Sequence, residues 1–132
     1  PGPVADAAAR FPQTLAHTDP RPANLTVDLA SGRVYFLDWA RPARALPAYD
    51  LLYWVFTGDR HLTVPRDELI ADYARALRRA LGEGRAWGWW EGQLALSYLA
   101  FVASFAGIMA RAMPSALSWW IERAQPALRA LG

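Results

Sequence analysis

The apolar positions of this chain fall into two short strand-like runs, followed by longer blocks at helical spacing. Residues 25–28 (LTVD) and 33–37 (RVYFL) read as strands. Ala30-Ser31-Gly32 makes the turn between them, with Gly32 available for a positive φ. The spacing predicts one β-hairpin with Asn24 at its start and Asp38 at its end. Upstream, residues 4–10 are Ala-rich and predict the end of a helix, and residues 14–17 predict a short extended lead. Pro20 and Pro22 disfavour helix across residues 19–24, because the residue before proline avoids the α region. After a loop punctuated by Pro42 and Pro47, residues 48–57 predict an apolar helix stopped by Gly58. Residues 65–81 predict an amphipathic helix. Pro65 suits its first turn, Asp67 and Glu68 its positive end, and Arg75, Arg78 and Arg79 its negative end; Gly82 closes it. Residues 83–90 predict a loop or helix start, residues 91–112 a long apolar helix, and residues 114–131 a last helix kinked or broken at Pro126. The expected fold class is α+β, mainly helical, in a single domain spanning residues 1–132 with four to five helices and one hairpin.

Composition narrows the class. At 132 residues and 54% hydrophobic, the chain can bury a core and is not a disordered tail. Its 14 basic residues are all Arg, balanced by 12 acids and spread among them, so no nucleic-acid surface is indicated. Without cysteine there is no disulfide or thiolate metal site, which suits a cytoplasmic protein. The stretch 92–110 carries no charge and approaches the length of a membrane span. Gln93, Ser97, Tyr98, Ser104 and Gly107 interrupt it, and the expectation is a buried core helix rather than a membrane segment.

The chemistry concentrates in His17-Thr18-Asp19-Pro20-Arg21-Pro22-Ala23-Asn24 and in Asp38-Trp39. A hairpin brings its two ends together, so Asn24 and Asp38 should lie side by side. Mg²⁺ takes hard oxygen ligands, commonly one or two from the protein with phosphates and waters completing the shell. Asp38 offers a carboxylate and Asn24 an amide oxygen, while Asp19 offers a base to an incoming hydroxyl.

The spacing H-x-D-x-x-x-x-N, hairpin, D-W, then P-x-x-D resembles the aminoglycoside phosphotransferase and choline-kinase-like family, whose fold is that of protein kinases. The resemblance covers residues 15–52, LAHTDPRPANLTVDLASGRVYFLDWARPARALPAYDLL. It implies a C-terminal kinase-like lobe in which Asp19 is the catalytic carboxylate, His17 anchors the loop, and Asn24 and Asp38 bind Mg²⁺. Asp50 would brace the catalytic loop from the following helix, and Trp39 would take the place of the aromatic beside the metal carboxylate. ATP is then the expected donor and a small-molecule hydroxyl the acceptor. Pro20, Arg21, Ala23 and Ala40 depart from the family's commoner residues, which loosens assignment to one acceptor class. The family's nucleotide lobe, with its phosphate-gripping Lys, has no counterpart here. Gly82-Glu83-Gly84-Arg85-Ala86-Trp87-Gly88 is one residue out of step for a nucleotide loop and reads as a helix-ending loop. The expectation is therefore a cut inside a longer protein, inactive on its own, with an apolar face that favours a homodimer.

For the acceptor, Trp54, Trp87, Trp89, Trp90, Trp119 and Trp120 offer either a cation-binding aromatic box or ordinary packing, and packing is favoured. Asp59, Asp67, Glu68, Asp72, Glu83, Glu91 and Glu122 are the acids open to an aminoglycoside. His61 is expected to be exposed. The competing readings are a non-catalytic kinase-like binding module and a membrane-associated helical fragment.

Overall fold

The computed structural model describes residues 2–82 and 87–131. In chain order these form α1 (Pro3–Ala8), β1 (Thr14–Ala16), β2 (Leu25–Asp28), β3 (Arg33–Phe36), β4 (Ala43–Ala45), α2 (Ala48–Gly58), α3 (Arg66–Leu81), α4 (Trp90–Ala112) and α5 (Pro114–Leu131). The class is mainly helical α+β. Contacts divide the chain into two compact units, Gln13–Arg85 and Pro1–Pro12 with Ala86–Gly132.

The Gln13–Arg85 unit holds the hairpin. Strands β2 and β3 pair antiparallel with Leu25 opposite Phe36, Val27 opposite Val34 and Asp28 opposite Arg33. Gly32 takes φ +68 in the turn. Asp28 accepts from Ser31 Oγ at 2.5 Å and from the Ala30 N–H at 3.0 Å. The Ser31 hydroxyl, then the Ala30 amide, lower the pKa of Asp28. A carboxyl held low in the folded state supports the turn above its unfolded pKa, and that support is lost as pH falls through the folded value. Gly32→Ala places a Cβ at a left-handed φ and should cost about 1–2 kcal/mol, read as a lower midpoint in urea unfolding.

Two features of this unit differ from the sequence reading. The proline-punctuated loop contains β4, which pairs antiparallel with β1, setting Leu15 opposite Arg44. Three residues per strand are too few for an alternation to register, and the pairing is long-range. Residues Pro22–Asn24 form one 3-10 turn with Pro at its start; that position tolerates proline because its N–H would be unpaired anyway. Helix α2 ends at Gly58, as the sequence predicts. That glycine lies in the right-handed region, and a 3-10 turn Asp59–His61 continues the chain. The core of this unit gathers on α2, where Leu51, Leu52 and Val55 are buried. Helix α3 carries acids in its first turn and Arg78 and Arg79 in its last, and ends at Gly82 with φ +90. Its Tyr73 hydroxyl donates to the Pro47 carbonyl at 2.9 Å, tying it to the start of α2. The reading of residues 82–88 as a loop lies mostly outside the described residues.

In the other unit α4 packs along α5, and α1 against α4. Trp120 of α5 is 1% exposed; it stacks on Phe101 at 5.7 Å and meets the Tyr98 ring edge-on at 5.6 Å. Gly92 faces Phe11 so closely that a Cβ would come within 3.0 Å of that ring. The expected break at Pro126 does not occur: α5 runs on to Leu131. Ala124 and Ala127, buried on either side of the proline, bind both segments into the same packed face, which offsets the lost hydrogen bond. Helix α4 is long and apolar enough to cross a membrane by length and composition alone, and 39% of its most apolar window is buried inside the protein.

Candidate functional site

The loop after β1 is held from both sides. His17 is 2% exposed. Its backbone N–H donates to Asp50 Oδ2 at 2.6 Å, and the Thr18 N–H donates to Asp50 Oδ1 at 2.9 Å. One carboxylate in the first turn of α2 thus takes two consecutive amides of the loop. The His17 ring reaches the hairpin: Nε2 lies 2.7 Å from the Leu37 carbonyl, and Nδ1 accepts from the Asp19 N–H at 3.3 Å. A carbonyl can only accept and a backbone amide can only donate, so the ring is the neutral Nε2–H tautomer. Its faces meet Trp39 at 4.6 Å and Phe36 at 5.9 Å. The Trp39 indole N–H is anchored on the Phe36 carbonyl at 2.9 Å.

Asn24 closes the other end of the loop. Its Nδ2 donates to the Asp19 carbonyl at 2.9 Å and to Asp19 Oδ2 at 3.0 Å. Both partners are acceptors, so the amide nitrogen must face them, and Asn24 Oδ1 is left without a partner among the described residues. Arg21 adds an ion pair to the same Asp19 Oδ2 at 3.0 Å. Asp19 Oδ1 is buried and has no hydrogen-bond partner. The carboxylate is therefore asymmetric, with Asn24 and Arg21 both on Oδ2 and neither on Oδ1.

Beyond the last ladder pair, the Leu37 N–H donates to the Asn24 carbonyl at 2.8 Å. Asp38 follows at once, with φ +57, and its exposed carboxylate forms no hydrogen bond or ion pair among the described residues. Thr18 also has a positive φ, +69, rare for a β-branched residue. It is fixed by the Asp50 bond and by its own hydroxyl donating to the Arg41 carbonyl at 2.6 Å. Such strain costs on the order of 1–3 kcal/mol and persists only where surrounding contacts over-determine it. Here both strained residues adjoin the polar cluster.

The structure thus joins His17, Asp19, Asn24 and Asp50 in one hydrogen-bonded group and sets Asp38 at the hairpin end beside Asn24. Three participants went unseen in the sequence. Thr18 is silent in any pattern because its role is its backbone angle. Arg21 was noted only as a departure. Tyr53 follows Asp50 by three residues on α2, a spacing that places both on one helix side. Burial raises the Tyr53 pKa first, then hydrogen bonding to Asp19 and the Asp19 charge. Tyr49, whose ring is 6.3 Å from that of Tyr53, is raised by burial and then by the Asp50 charge, with Arg41 opposing.

Among the described residues no group of three His, Cys, Asp or Glu side chains is arranged to hold a metal. A cation that needs a protein-built cage would not fit. One that takes an amide oxygen and a carboxylate, and draws its other ligands from phosphates and water, fits Asn24 Oδ1 and Asp38.

The acceptor candidates scatter. Trp54 lines an apolar cavity of about 430 Å³ with Leu25, Phe36, Leu51 and Tyr73. Trp87 and Trp90 stack on each other at 5.4 Å, and the face of Trp119 is covered by Arg123 of the chain itself at 4.1 Å. Asp59 pairs with Arg66 at 2.5 Å, and Asp72 with Arg75. His61 is exposed, and Glu83 lies outside the described residues.

The sequence model of the phosphotransferase enzyme family matches residues 4–90, a span that includes the loop, the hairpin and the helices α2 and α3. No curated protein and no solved structure matches the chain. On that match, the chain belongs to the phosphotransferase enzyme family.

Proposed function

We propose that this chain is the catalytic lobe of an ATP-dependent cytoplasmic phosphotransferase acting on the hydroxyl of a small molecule. The observation that carries the proposal is the asymmetric Asp19 carboxylate. Oδ2 is held by Asn24 and Arg21, and Oδ1 is buried without a donor. An acceptor hydroxyl is a donor of the right kind for this carboxylate, whose side chain is 27% exposed. Asp19 would orient the hydroxyl and take its proton as the alcohol oxygen bonds to the γ-phosphorus of ATP and the bond from that phosphorus to the bridging oxygen breaks, ADP leaving. Asn24 Oδ1 and Asp38 would hold Mg²⁺, and that ion when bound supplies charge neutralisation for the transferred phosphoryl group. Asn24 would serve both carboxylates at once, its nitrogen fixing Asp19 and its oxygen facing the cation. His17 and Asp50 would keep the loop in register with the hairpin end without touching reactants.

The sequence contains no Lys, so the cation that grips the donor phosphates in this family would come from outside these 132 residues. Transfer then belongs to the full-length protein, and this chain alone should be inactive. The test is Mg²⁺-dependent nucleotide binding by the full-length protein and by its Asp38→Ala variant, read by calorimetry. Binding that depends on Mg²⁺ only when Asp38 is present supports the assignment. Binding that needs no Mg²⁺, or no binding at all, points to the second reading, a kinase-like module without turnover.

A further inference from the structure

We infer that the acceptor carries an anionic group, a carboxylate or a phosphate, beside its reacting hydroxyl, and that Arg21 recognises it. The inference rests on Asp19 being the acceptor-side base. Arg21 stands two residues from Asp19, with its guanidinium on Oδ2 at 3.0 Å and its side chain 53% exposed. One planar fork can hold Asp19 with one nitrogen and present the others outward. The backbone carbonyl of Arg41 accepts from the hydroxyl of Thr18, the residue before Asp19, at 2.6 Å. Arg41 forms no ion pair among the described residues. Tyr49 and Tyr53 stand one turn apart on α2 with their rings 6.3 Å apart. Tyr53 responds to Asp19 and Arg21, and Tyr49 to Asp19 and Arg41. A half-exposed guanidinium already seated on the base, with Arg41 close enough to act on Tyr49, suits an anion.

Four of the acids that a polycationic acceptor could use in this unit are already committed. Asp50 is filled by two loop amides, Asp59 by Arg66, Asp72 by Arg75, and Asp28 by its own turn. An ammonium group next to the hydroxyl would meet Arg21 and pay like-charge repulsion in a partly buried place.

The experiment uses the full chain and follows the ring resonances of Tyr49 and Tyr53 by NMR. The probes are glycerate, glycerol 3-phosphate, uncharged glycerol and kanamycin. Saturable shifts are expected with at least one of the two anions, and which one it is separates carboxylate from phosphate recognition. Glycerol and kanamycin at the same concentrations should leave the rings unmoved. Arg21→Ala should weaken the anion by about tenfold or more, the scale of a lost charge-assisted hydrogen bond. Arg21→Lys should restore most of the affinity. Because Arg21 is half-exposed, neither substitution removes core packing. Shifts with kanamycin, no saturable shift with either anion, or equal anion affinity in Arg21→Ala would overturn the inference. A full-length protein that phosphorylates kanamycin would overturn it while leaving the phosphotransferase reading in place. Anion binding in a full-length protein that transfers no phosphoryl group would do the reverse.

Discussion

Asp19→Asn in the full-length protein is expected to lower kcat for phosphoryl transfer by about 10²–10⁴-fold, the range of a lost general base. The substitution is nearly isosteric, so packing is kept, and the asparagine carbonyl can still accept from Asn24. What it removes is the charge on Oδ1, the buried oxygen that has no donor in the structure. Nucleotide affinity should change little, because Asn24 and Asp38 remain. A fall in kcat with retained Mg·nucleotide binding separates the loss of a base from the loss of a metal ligand. If kcat is unchanged, Asp19 is only a loop residue and the assignment fails. The companion variant Asn24→Ala should behave differently. It frees the Asp19 carboxylate and withdraws an amide oxygen at the same time, so both kcat and nucleotide affinity should drop.

Asp50→Ala should be the most damaging change to the loop's structure. The carboxylate takes the N–H groups of His17 and Thr18, and its removal orphans both. An unpaired amide away from water costs about 1–3 kcal/mol, so the pair should cost roughly 2–4 kcal/mol with some relief from water. Part of the loss would be offset as Thr18, no longer held at its positive φ, releases its strain and the loop relaxes. Urea unfolding of the chain should show the shift in midpoint. Asp50→Asn retains one acceptor oxygen, so an intermediate loss is expected. If Asn matches Ala, the charge matters more than the hydrogen bonds; if Asn matches the parent, one accepting oxygen is enough, and only Ala matching the parent would make the brace dispensable. Tyr73 gives an internal control. Its hydroxyl ties α3 to the Pro47 carbonyl, so Tyr73→Phe should loosen α3 and leave the loop hydrogen bonds intact.

Much of the site was legible because its geometry is local. Asn24 and Asp38 sit at the two ends of one hairpin, and a two-stranded ladder brings its ends together whatever surrounds it. Asp19 precedes Asn24 by five residues across a single turn, close enough for the direct contact at 3.0 Å. The helices were legible for a similar reason. Pro65, the acids, the arginines and Gly82 of α3 act within a turn of their own positions. Where the reading failed, the deciding partner was distant. Strand β4 owes its existence to β1, and α5 passes Pro126 because buried alanines on both sides are packed.

By itself, then, the order of residues determined which side chains share the loop and hairpin, since covalent spacing and backbone pairing carry that information over a few residues. Only the tertiary structure decided how they are used. It fixed the His17 tautomer through Leu37 and Asp19, and gave Thr18 and Asp38 their strained angles. It also left one oxygen of Asp19 unmet while crowding the other. Those outcomes depend on groups as many as 33 residues apart converging on one loop, and no local preference specifies such a meeting.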